Sequence, residues 1–508
     1  MNKVLKIIDN FLNSITMYRL VLYGLLILAG LSILFSFFGL IIYNPLSQII
    51  SLTAFIFSCY LSNKILSLIF RAPTNIESFL ITALILFFIV TPAENLKEIS
   101  FIVLISFIAM ASKYILTINK KHLFNPAAIA ILLISFTKLT GASWWVALPI
   151  LTIPTLVLGL LIIRKLRRFS LFFAFLVTAV LELILYNQFS NLSLTTTLYL
   201  AFTAYPILFL GTIMLTEPLT TPPTRKKQIV YGVIVGLVFS SRIRFDFISS
   251  SPELALIIGN IFSYLVSYKK KIILALKEKQ KLSSTIYDFV FMPSKKIEFK
   301  PGQYLEWTLP HKNADSRGNR RYFTIASSPT EKDIILGARI DDEASSFKKA
   351  LLELSPSTRI SAGSLAGDFV LPNDKTTKLA FLAGGIGITP FRSMVKYLLD
   401  NSEERDIVLI HTCSSDSDFV YSDVFEKAQK TIGLKIYCIL KDENNIPKDW
   451  KGGVGYITKD TLKKTVPDYK SRLFYISGSN DIVNRYRKVL KEIGIENSKI
   501  VTDYFPGY

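Results

Sequence analysis

Long apolar runs fill the first 270 residues of the chain, and shorter, alternating patterns of polar and apolar residues follow them. The runs are roughly 17–25 residues long, which is the length that a helix needs to cross a bilayer. Ten spans are predicted, at 20–42, 47–70, 76–91, 98–117, 125–138, 146–163, 170–187, 196–214, 228–242 and 252–268. Residues 1–268 are therefore expected to form a polytopic α-helical membrane domain.

The basic residues cluster at the ends of these runs, which argues that the net charge of +20 serves membrane topology and not nucleic-acid binding. With ten spans both termini lie on one side. The loops on that side carry Lys3, Lys6, Arg71, Lys120, Lys121, Arg164, Lys165, Arg167, Arg168, Arg225, Lys226, Lys227 and Lys269 to Lys271, and the opposite loops carry Lys97, Lys138, Arg242 and Arg244. The positive-inside rule then places both termini, and everything after residue 270, in the cytoplasm.

Residues 269–281 are basic and are expected to form a helical linker near anionic headgroups. Short strand patterns follow at 285–292, 303–309, 321–325 and 334–339, which is typical of a small antiparallel barrel, residues 282–375. In the third strand, Arg321 can bind a pyrophosphate, Phe323 can lie against an isoalloxazine ring, and the Thr324 hydroxyl can reach the flavin edge. Ser346 opens a helix whose free amides can hold the FAD pyrophosphate. Gly367, in a loop that closes the barrel, is a further candidate, although this loop is equally compatible with a plain turn.

A second pattern begins at residue 376, where strands alternate with helices as in a doubly wound parallel sheet, residues 376–508. The first strand runs into a glycine-rich turn that contains Gly385 and Gly387, and a helix follows from Thr389 and Pro390 onward. Such a turn lets a phosphate approach the backbone at a helix N-terminus. The motif ends in proline where dehydrogenases have a third glycine, so it is moderate evidence by itself.

The order of these motifs over about residues 282–508 closely resembles the ferredoxin–NADP reductase family. The resemblance implies FAD on the barrel, NAD(P)H on the sheet, and hydride transfer between them. It assigns Arg321, Phe323 and Thr324 to FAD, the Ser346 helix to FAD phosphate, and Gly385, Gly387 and Thr389 to the nicotinamide nucleotide. It also places Ser477, where many members have cysteine, and Gly478 near the nicotinamide. The aromatic ending 502–508 suits the family, with Phe505 expected to cover the flavin. Thr324, Ser477 and Phe505 are the catalytic candidates.

Two loop strings in the first half resemble a different family. Leu123-Phe124-Asn125-Pro126-Ala127-Ala128 and the Thr/Pro-rich string at 215–224 resemble the RnfD/NqrB membrane subunits of redox complexes, over about residues 20–268. The resemblance implies a membrane module that carries a flavin. Asn125, Thr216, Thr220 and Thr221 are the candidates for a polar wall beside it, while a stiff turn is the plainer alternative. Because the loop at 138–145 is short, we expect any FMN or riboflavin there to be non-covalent.

Histidine and cysteine provide little chemistry. Cys59, Cys413 and Cys438 lie far apart, and no histidine pair could ligate a membrane haem, so no metal site is predicted. The 413–418 loop is acidic and offers no arginine for a 2′-phosphate, which tilts the choice between NADH and NADPH slightly toward NADH.

The predicted function is a membrane-bound NAD(P)H oxidoreductase of the cytoplasmic membrane. Electrons are expected to pass from NAD(P)H through FAD to a membrane flavin, and then to a quinone or to an acceptor protein across the bilayer. Two alternatives remain open at this stage. One is a redox-driven Na⁺ or H⁺ transporter, and the other is an anchored flavin reductase whose spans carry no cofactor.

Overall fold

The computed structural model describes residues 2–71, 76–118, 121–137, 139, 141–188, 192–240, 244–245, 248–267, 271–312, 314–315, 318–443 and 446–503. The chain divides into two compact units. Unit 1 is Met1–Lys269 with Pro506–Tyr508, and unit 2 is Lys270–Phe505.

Unit 1 is helical. Its described helices are α1 (Asn2–Ser14), α2 (Met17–Phe37), α3 (Pro45–Ile69), α4 (Ile76–Ile89), α5 (Leu96–Ile115), α6 (Pro126–Phe136), α7 (Pro149–Leu166), α8 (Phe169–Gln188), α9 (Leu194–Thr203), α10 (Ile207–Met214), α11 (Arg225–Val238) and α12 (Pro252–Leu265). Two short hairpins, β1–β2 (Thr117–Ile118, Lys121–His122) and β3–β4 (Arg244–Phe245, Ile248–Ser249), join neighbouring helices.

Each of the ten predicted spans overlaps helical segments of unit 1. The helices α3 and α8 are longer than predicted, α5 and α7 have the predicted length, and α2, α4, α6, α11 and α12 are shorter. Among the described residues, four helices are long and apolar enough to cross a membrane, namely α2, α3, α5 and α7. A fifth span results if α9 and α10, which are bent by 56° relative to each other, count as one broken span. The helices α4, α6 and α12 and the stretch Phe169–Leu185 of α8 are apolar but shorter. The number of ten spans thus stays a prediction.

Polar residues mark the starts of several helices in unit 1. Asn125 caps α6 as predicted, because its Oδ1 accepts from the amides of Ala127 and Ala128 at 3.1 and 3.2 Å, and Pro126 occupies the first turn. The last turn of α10 is a π-helix, Leu210–Met214, which leads directly into the Thr/Pro-rich string. Such π turns often occur at functional sites.

Unit 2 begins with a six-stranded antiparallel sheet, as the strand pattern predicted. Its strands are β5 (Ile272–Lys281), β6 (Ile286–Pro293), β7 (Tyr304–Thr308), β8 (Arg320–Thr324), β9 (Ile334–Arg339) and β10 (Arg359–Ala366), in the order β8-β7-β10-β5-β6-β9. The helix α13 (Ser346–Glu353) lies between β9 and β10 in the chain.

The predicted helical linker at 269–281 is wrong over most of its length, because residues 272–281 form β5 in this sheet. Ile272, Leu274 and Leu276 are buried at every second position, and this period of two belongs to a strand with one face in the core. The lysines and glutamate that follow suggested a linker, but they continue the same strand at its exposed end.

The second sheet of unit 2 is parallel, as predicted. Its strands are β11 (Leu379–Gly384), β12 (Ile407–Cys413), β13 (Lys435–Leu440), β14 (Gly453–Val454), β15 (Leu473–Ser477) and β16 (Ile500–Thr502), in the order β14-β13-β12-β11-β15-β16. The helices that alternate with them are α14 (Thr389–Asp400), α15 (Ser422–Ile432), α16 (Lys459–Thr465) and α17 (Asn480–Glu492). The chain moves outward from β11 in both directions, so the sheet has a switch point between β11 and β15.

Candidate functional site

The switch point brings together the two glycine-bearing turns that the sequence singled out. A Cβ on Gly387 would lie 2.5 Å from the Ser477 carbonyl oxygen and 2.6 Å from the Gly478 nitrogen. Gly387, in the turn after β11, therefore packs directly on the peptide that joins Ser477 to Gly478, after β15. Only glycine allows two backbones to approach this closely. Ligands of open α/β sheets bind at such a crevice.

The turn after β11 leaves its backbone accessible. Gly385 adopts a left-handed conformation (φ +53°), and a Cβ there would meet no atom within 4 Å. The Gly385 carbonyl is held by the Nε2 of His411 at 3.0 Å. Burial lowers the pKa of His411 to about 4, so the neutral imidazole donates this bond. Together with the N-terminus of α14, the open backbone fits the phosphates of a dinucleotide.

Thr389 is the first residue of α14. Its hydroxyl donates to the Ile386 carbonyl at 3.2 Å. The Thr389 Cγ2 lies 2.7 Å from where a Cβ of Gly337, on β9, would be. Thr389 thus closes the glycine turn and packs on the barrel.

A carboxylate near the end of the described chain connects the two sheets. Asp503 is buried, and its Oδ2 lies 3.2 Å from the Ser477 hydroxyl and 3.5 Å from the Thr324 hydroxyl. The two catalytic candidates that lie in the described residues therefore meet at one carboxylate, which the sequence analysis missed. It had singled out the segment 502–508 for its aromatic residues only. Phe505, the third candidate, lies outside the described residues.

Strand β8 divides its functional candidates between two faces. Arg321 and Phe323 lie opposite Trp307 and Leu305 of β7 and share their buried face, whereas Thr324 projects to the other face. Arg321 and Phe323 thus lie on one face of β8, and Thr324 lies on the other because side chains alternate along a strand. The Phe323 ring packs against Phe347 of α13, with centroids 5.9 Å apart.

Arg321 and Ser346, the two candidates for the FAD pyrophosphate, meet at Asp315. Arg321 Nη2 donates to Asp315 Oδ1 at 2.9 Å, and the Asp315 amide donates to Ser346 Oγ at 3.0 Å. Ser346 also lies 3.0 Å from His311 Nε2, whereas Ser345, one residue earlier, provides the cap of α13. Arg321 and the start of α13 thus lie close together, with the Asp315 carboxylate bound to the Arg321 guanidinium.

Gly367 follows β10 with φ +119°, a backbone conformation that L side chains rarely adopt. A Cβ there would lie 3.1 Å from the Tyr304 ring, and the Gly367 carbonyl accepts from Gln303 at 3.3 Å. The backbone conformation and the close packing on the barrel are sufficient to explain why residue 367 is glycine. They agree with the alternative that this loop is a plain turn. Its assignment to the cofactor stays a prediction.

A second polar cluster joins the barrel to the parallel sheet. The Tyr421 hydroxyl donates to Asp288 at 2.6 Å, and the guanidinium of Arg392 binds the Glu331 carboxylate with both terminal nitrogens while lying over the Tyr421 ring. Burial raises the pKa of Asp288 to about 6. No motif marks these residues in the sequence, since they come from four separated segments.

In unit 1, the two unusual strings converge on Glu217. Its Oε2 accepts from Asn125 Nδ2 at 3.0 Å and from Thr220 at 3.3 Å. Thr221 and the Thr216 carbonyl both accept from Arg168, and the Thr216 hydroxyl donates to Thr212. The four candidates are thus buried and close in space, in two groups around Glu217 and Arg168. All four side chains take part in bonds within the protein.

The described residues contain no group of three or more His, Cys, Asp or Glu side chains that could hold a metal ion. The chemistry available at the switch point is instead that of hydroxyl, carboxylate and open backbone groups. Such groups bind and orient a nucleotide and a flavin, and the cofactors supply the redox chemistry.

Comparison with known proteins supports this description of unit 2. Residues 381–488 match the family model described as "Oxidoreductase NAD-binding domain". The chain is 28% identical over 218 residues to the glycine betaine monooxygenase reductase subunit of Chromohalobacter salexigens, covering 41% of this chain and 57% of that protein. It is 25% identical over 240 residues to NADH-cytochrome b5 reductase 1 of Emericella nidulans, covering 45% of this chain and 76% of that protein.

Among solved structures, the Amycolatopsis cytochrome P450 reductase GcoB is 20% identical, with a TM-score of 0.42, and the match covers 47% of this chain and 70% of that one. The chain spans less than two thirds of the length of several of its curated relatives, including the glycine betaine monooxygenase reductase subunit. These relatives are named as reductases, and residues 381–488 of this chain match the model of an oxidoreductase NAD-binding domain.

Proposed function

We propose that this chain is a membrane-bound NAD(P)H oxidoreductase that carries FAD in unit 2. Electrons pass from NAD(P)H through FAD to a non-covalent FMN or riboflavin in unit 1, and from there to a quinone or to an acceptor protein across the bilayer. Unit 1 lies in the cytoplasmic membrane, and unit 2 and both termini lie in the cytoplasm, where NAD(P)H is available.

The observation that carries the proposal is the meeting of Ser477 and Thr324 at Asp503. Ser477 ends the strand beside the open glycine turn, and Thr324 ends the strand that bears Arg321. A nicotinamide nucleotide bound at the turn and a flavin bound on the barrel would therefore both lie beside the cluster of Ser477, Asp503 and Thr324. Hydride transfer needs the two rings in contact, and fixed hydroxyls at that place can orient them.

Different residues of unit 2 bind the nicotinamide nucleotide and FAD. Gly385 and the start of α14 hold the nucleotide phosphates through backbone amides. Arg321 and Ser346 hold the FAD pyrophosphate, with Arg321 leaving Asp315 for the stronger, doubly charged partner. FAD held by these residues would supply the chemistry of hydride acceptance and electron release. Asp503 accepts hydrogen bonds from both hydroxyls, so they point their lone pairs toward the crevice.

The relatives are named as reductases, and residues 381–488 match an oxidoreductase NAD-binding domain, which supports the use of NAD(P)H. Four described helices of unit 1 are long and apolar enough to cross a membrane, and this supports a membrane location for unit 1. The buried group of Asn125, Thr216, Thr220 and Thr221 supports a polar site there.

The test is the flavin content of the full chain, purified in detergent, with flavins separated after acid release. We expect FAD and a second flavin, each near one per chain, and NADH oxidation by the same preparation. FAD alone would contradict the membrane flavin and favour the anchored reductase. Absence of FAD, with no NADH oxidation after FAD is added, would contradict the proposal for unit 2.

A further inference from the structure

The first helix of unit 1, α1, keeps part of its apolar surface exposed. Val4, Ile7 and Phe11 recur at helical spacing, and they are 61%, 68% and 53% exposed. We call these three side chains the open face of α1. Large apolar side chains grouped in this way mark a surface that a membrane or another protein covers. The described residues of the chain do not supply that cover.

The other apolar residues of α1 pack on unit 1. Leu12 is buried in the hydrophobic core, and Ile8 packs against the same core. At 3.6 residues per turn, these positions and the open face form one continuous apolar arc of roughly 160°. Asn13 lies on the opposite side of the helix. One half of the apolar arc thus belongs to the core, and the other half faces outward beside it.

Polar contacts hold α1 at the end of α7. The Nε and Nη2 atoms of Arg164 donate to the two carboxylate oxygens of Asp9, at 2.8 and 2.9 Å. The Nζ of Lys165 donates to the Leu12 carbonyl at 2.6 Å. Arg164 and Lys165 stand in the last turn of α7, which is one of the four described helices that could cross a membrane. Helix α1 is therefore bound to the polar end of a candidate span.

The start of a second candidate span lies beside α1. Helix α2 begins at Met17, only two residues after the last residue of α1, and it packs on α7 through Gly24 and Leu158. Near this start, Arg19 Nε donates to Glu77 of α4 at 2.9 Å. Charged side chains at the ends of spans lie where the hydrocarbon meets water. The contacts of α1 thus place it at this boundary.

The charges near α1 favour lipid as the cover of the open face. Arg167, directly after α7, and Lys226 of α11 are both exposed, and Arg225 Nε donates to Ser170 of α8 at 3.3 Å. Basic side chains beside an apolar helix face match the anionic headgroups that lie above acyl chains. A second copy of this chain would instead bring an equally basic surface, and the two surfaces would repel each other.

We propose that α1 lies flat in the headgroup region of an anionic bilayer, with Val4, Ile7 and Phe11 inserted among the upper acyl carbons. This inference rests on the membrane location of unit 1 in the proposed function and on none of its redox steps. The 13 residues of α1 extend only about 20 Å, which is too short to cross the hydrocarbon core. The bonds between Asp9 and Arg164 couple the depth of α1 in the bilayer to that of α7.

The experiment introduces the photoreactive residue p-benzoylphenylalanine at one position at a time in the full chain. The position of Phe11 tests the open face, and that of Asn13, on the polar side of α1, is the matched control. The position of Val157, exposed on α7, reports whether unit 1 lies in a bilayer, and that of Met292, exposed in unit 2, gives the background. Each chain is reconstituted into nanodiscs of phosphatidylcholine and phosphatidylglycerol, irradiated, and analysed by mass spectrometry for lipid adducts.

We expect about ten times more lipid adduct at Phe11 than at Asn13, because the apolar side of an interfacial helix reaches the acyl chains. Omission of phosphatidylglycerol should lower the yield at Phe11 about threefold and leave the yield at Val157 unchanged. Equal yields at Phe11 with and without phosphatidylglycerol would overturn the role of anionic lipid.

Lipid adducts at Val157 together with equal yields at Phe11 and Asn13 would overturn the interfacial helix and leave the membrane location intact. Crosslinks from Phe11 to a second copy of the chain, in place of lipid adducts, would overturn lipid as the cover. If the yield at Val157 equals the background at Met292, the membrane location of unit 1 fails, and the inference fails with it.

Discussion

The Ser477 hydroxyl donates a 3.2 Å hydrogen bond to the Asp503 carboxylate, just beyond the ends of two neighbouring parallel strands. The same carboxylate oxygen lies 3.5 Å from Thr324, on the barrel. Asp503 is itself held by its backbone amide, which donates to Ile476 at 2.9 Å. A carboxylate fixed in this way links β15 to β8, the strands proposed to face the nicotinamide and the flavin, within one compact unit.

Replacement of Asp503 by alanine is expected to slow hydride transfer by one to two orders of magnitude, since hydroxyls without their common acceptor become misoriented. The measurement is the rate of flavin bleaching by NADH in a stopped-flow instrument, with FAD content as the check on folding. Asp503→Asn keeps an acceptor and should recover much of the rate. An unchanged bleaching rate in Asp503→Ala would show that the carboxylate does not orient the rings.

Arg321→Ala is expected to weaken FAD binding by roughly 10-fold to 100-fold, because it removes charge-assisted bonds to the pyrophosphate. The neighbouring Arg320→Ala is the matched control, as Arg320 is exposed and lies 3.9 Å from Glu306. Equilibrium dialysis of FAD against the full chain in detergent measures both. Equal FAD affinity in the two variants would exclude Arg321 from the pyrophosphate site.

Much of the fold of unit 2 follows from local patterns in the sequence. The period-two strands of the barrel and the apolar runs of the parallel sheet are both long and regular enough to be recognised. Strand β5 was missed because its polar residues 277–281 hide the alternation of Ile272, Leu274 and Leu276. Some span lengths in unit 1 were overestimated, as at α2 and α12, whereas α3 and α8 are longer than predicted, because hydropathy alone does not mark where a helix ends.

The candidate site was predictable only where one segment carries several functional groups. Arg321, Phe323 and Thr324 are adjacent in the sequence, and so are the glycines of the switch point. Asp503 and the pair Tyr421–Asp288 act through tertiary contacts between residues far apart in the chain. Single-sequence patterns contain no information on such contacts.

Gly387→Ala is expected to lower the thermal stability of unit 2 and to raise the KM for NADH. The new Cβ would lie 2.5 Å from the Ser477 carbonyl, so the two turns must separate at a cost of about 1–3 kcal/mol. Gly453→Ala is the control, since its Cβ would lie 3.2 Å from the flexible Ile439 side chain and 3.9 Å from the Cys438 carbonyl oxygen. The two variants are compared by FAD-fluorescence melting and by steady-state kinetics. Melting and KM values equal to those of Gly453→Ala would show that the turns move apart freely.

The 413–418 loop predicts a preference for NADH. Asp418 is buried, bound to Ser283 at 3.0 Å and 3.9 Å from Arg339, whereas Asp416 is exposed after β12 and available to a ribose hydroxyl. Asp416→Ser should lower the ratio of kcat/KM for NADH over NADPH by about tenfold, since a carboxylate repels the 2′-phosphate. Asp423→Ser, at an exposed position on α15, should leave the ratio unchanged. An equal ratio in both variants would place the discrimination elsewhere.

Asp288 makes the stability of unit 2 depend on pH. Burial raises its pKa from 3.8 to about 6, while the hydrogen bond from Tyr421 and the charge of Arg392 act in the opposite direction and Glu331 adds to the rise. The folded state holds the Asp288 proton more tightly than the unfolded state. The contribution of Asp288 to the free energy of unfolding is therefore largest below pH 4, and it is lost as the pH rises through 6. Between low and high pH this contribution changes by roughly 3 kcal/mol at most.

Asp288→Asn should therefore flatten the fall in melting temperature between pH 4.5 and about 7, and it should melt higher than the wild type at pH 8. Asparagine still accepts the Tyr421 hydroxyl through its carbonyl oxygen, so the contact between the barrel and the parallel sheet is kept. Melting is followed through FAD fluorescence, which reports on unit 2 of the full chain, and Asp341→Asn provides an exposed control. If Asp288→Asn and the wild type lose stability in parallel over this range, the proton is not on Asp288, and the pH dependence must come from another group.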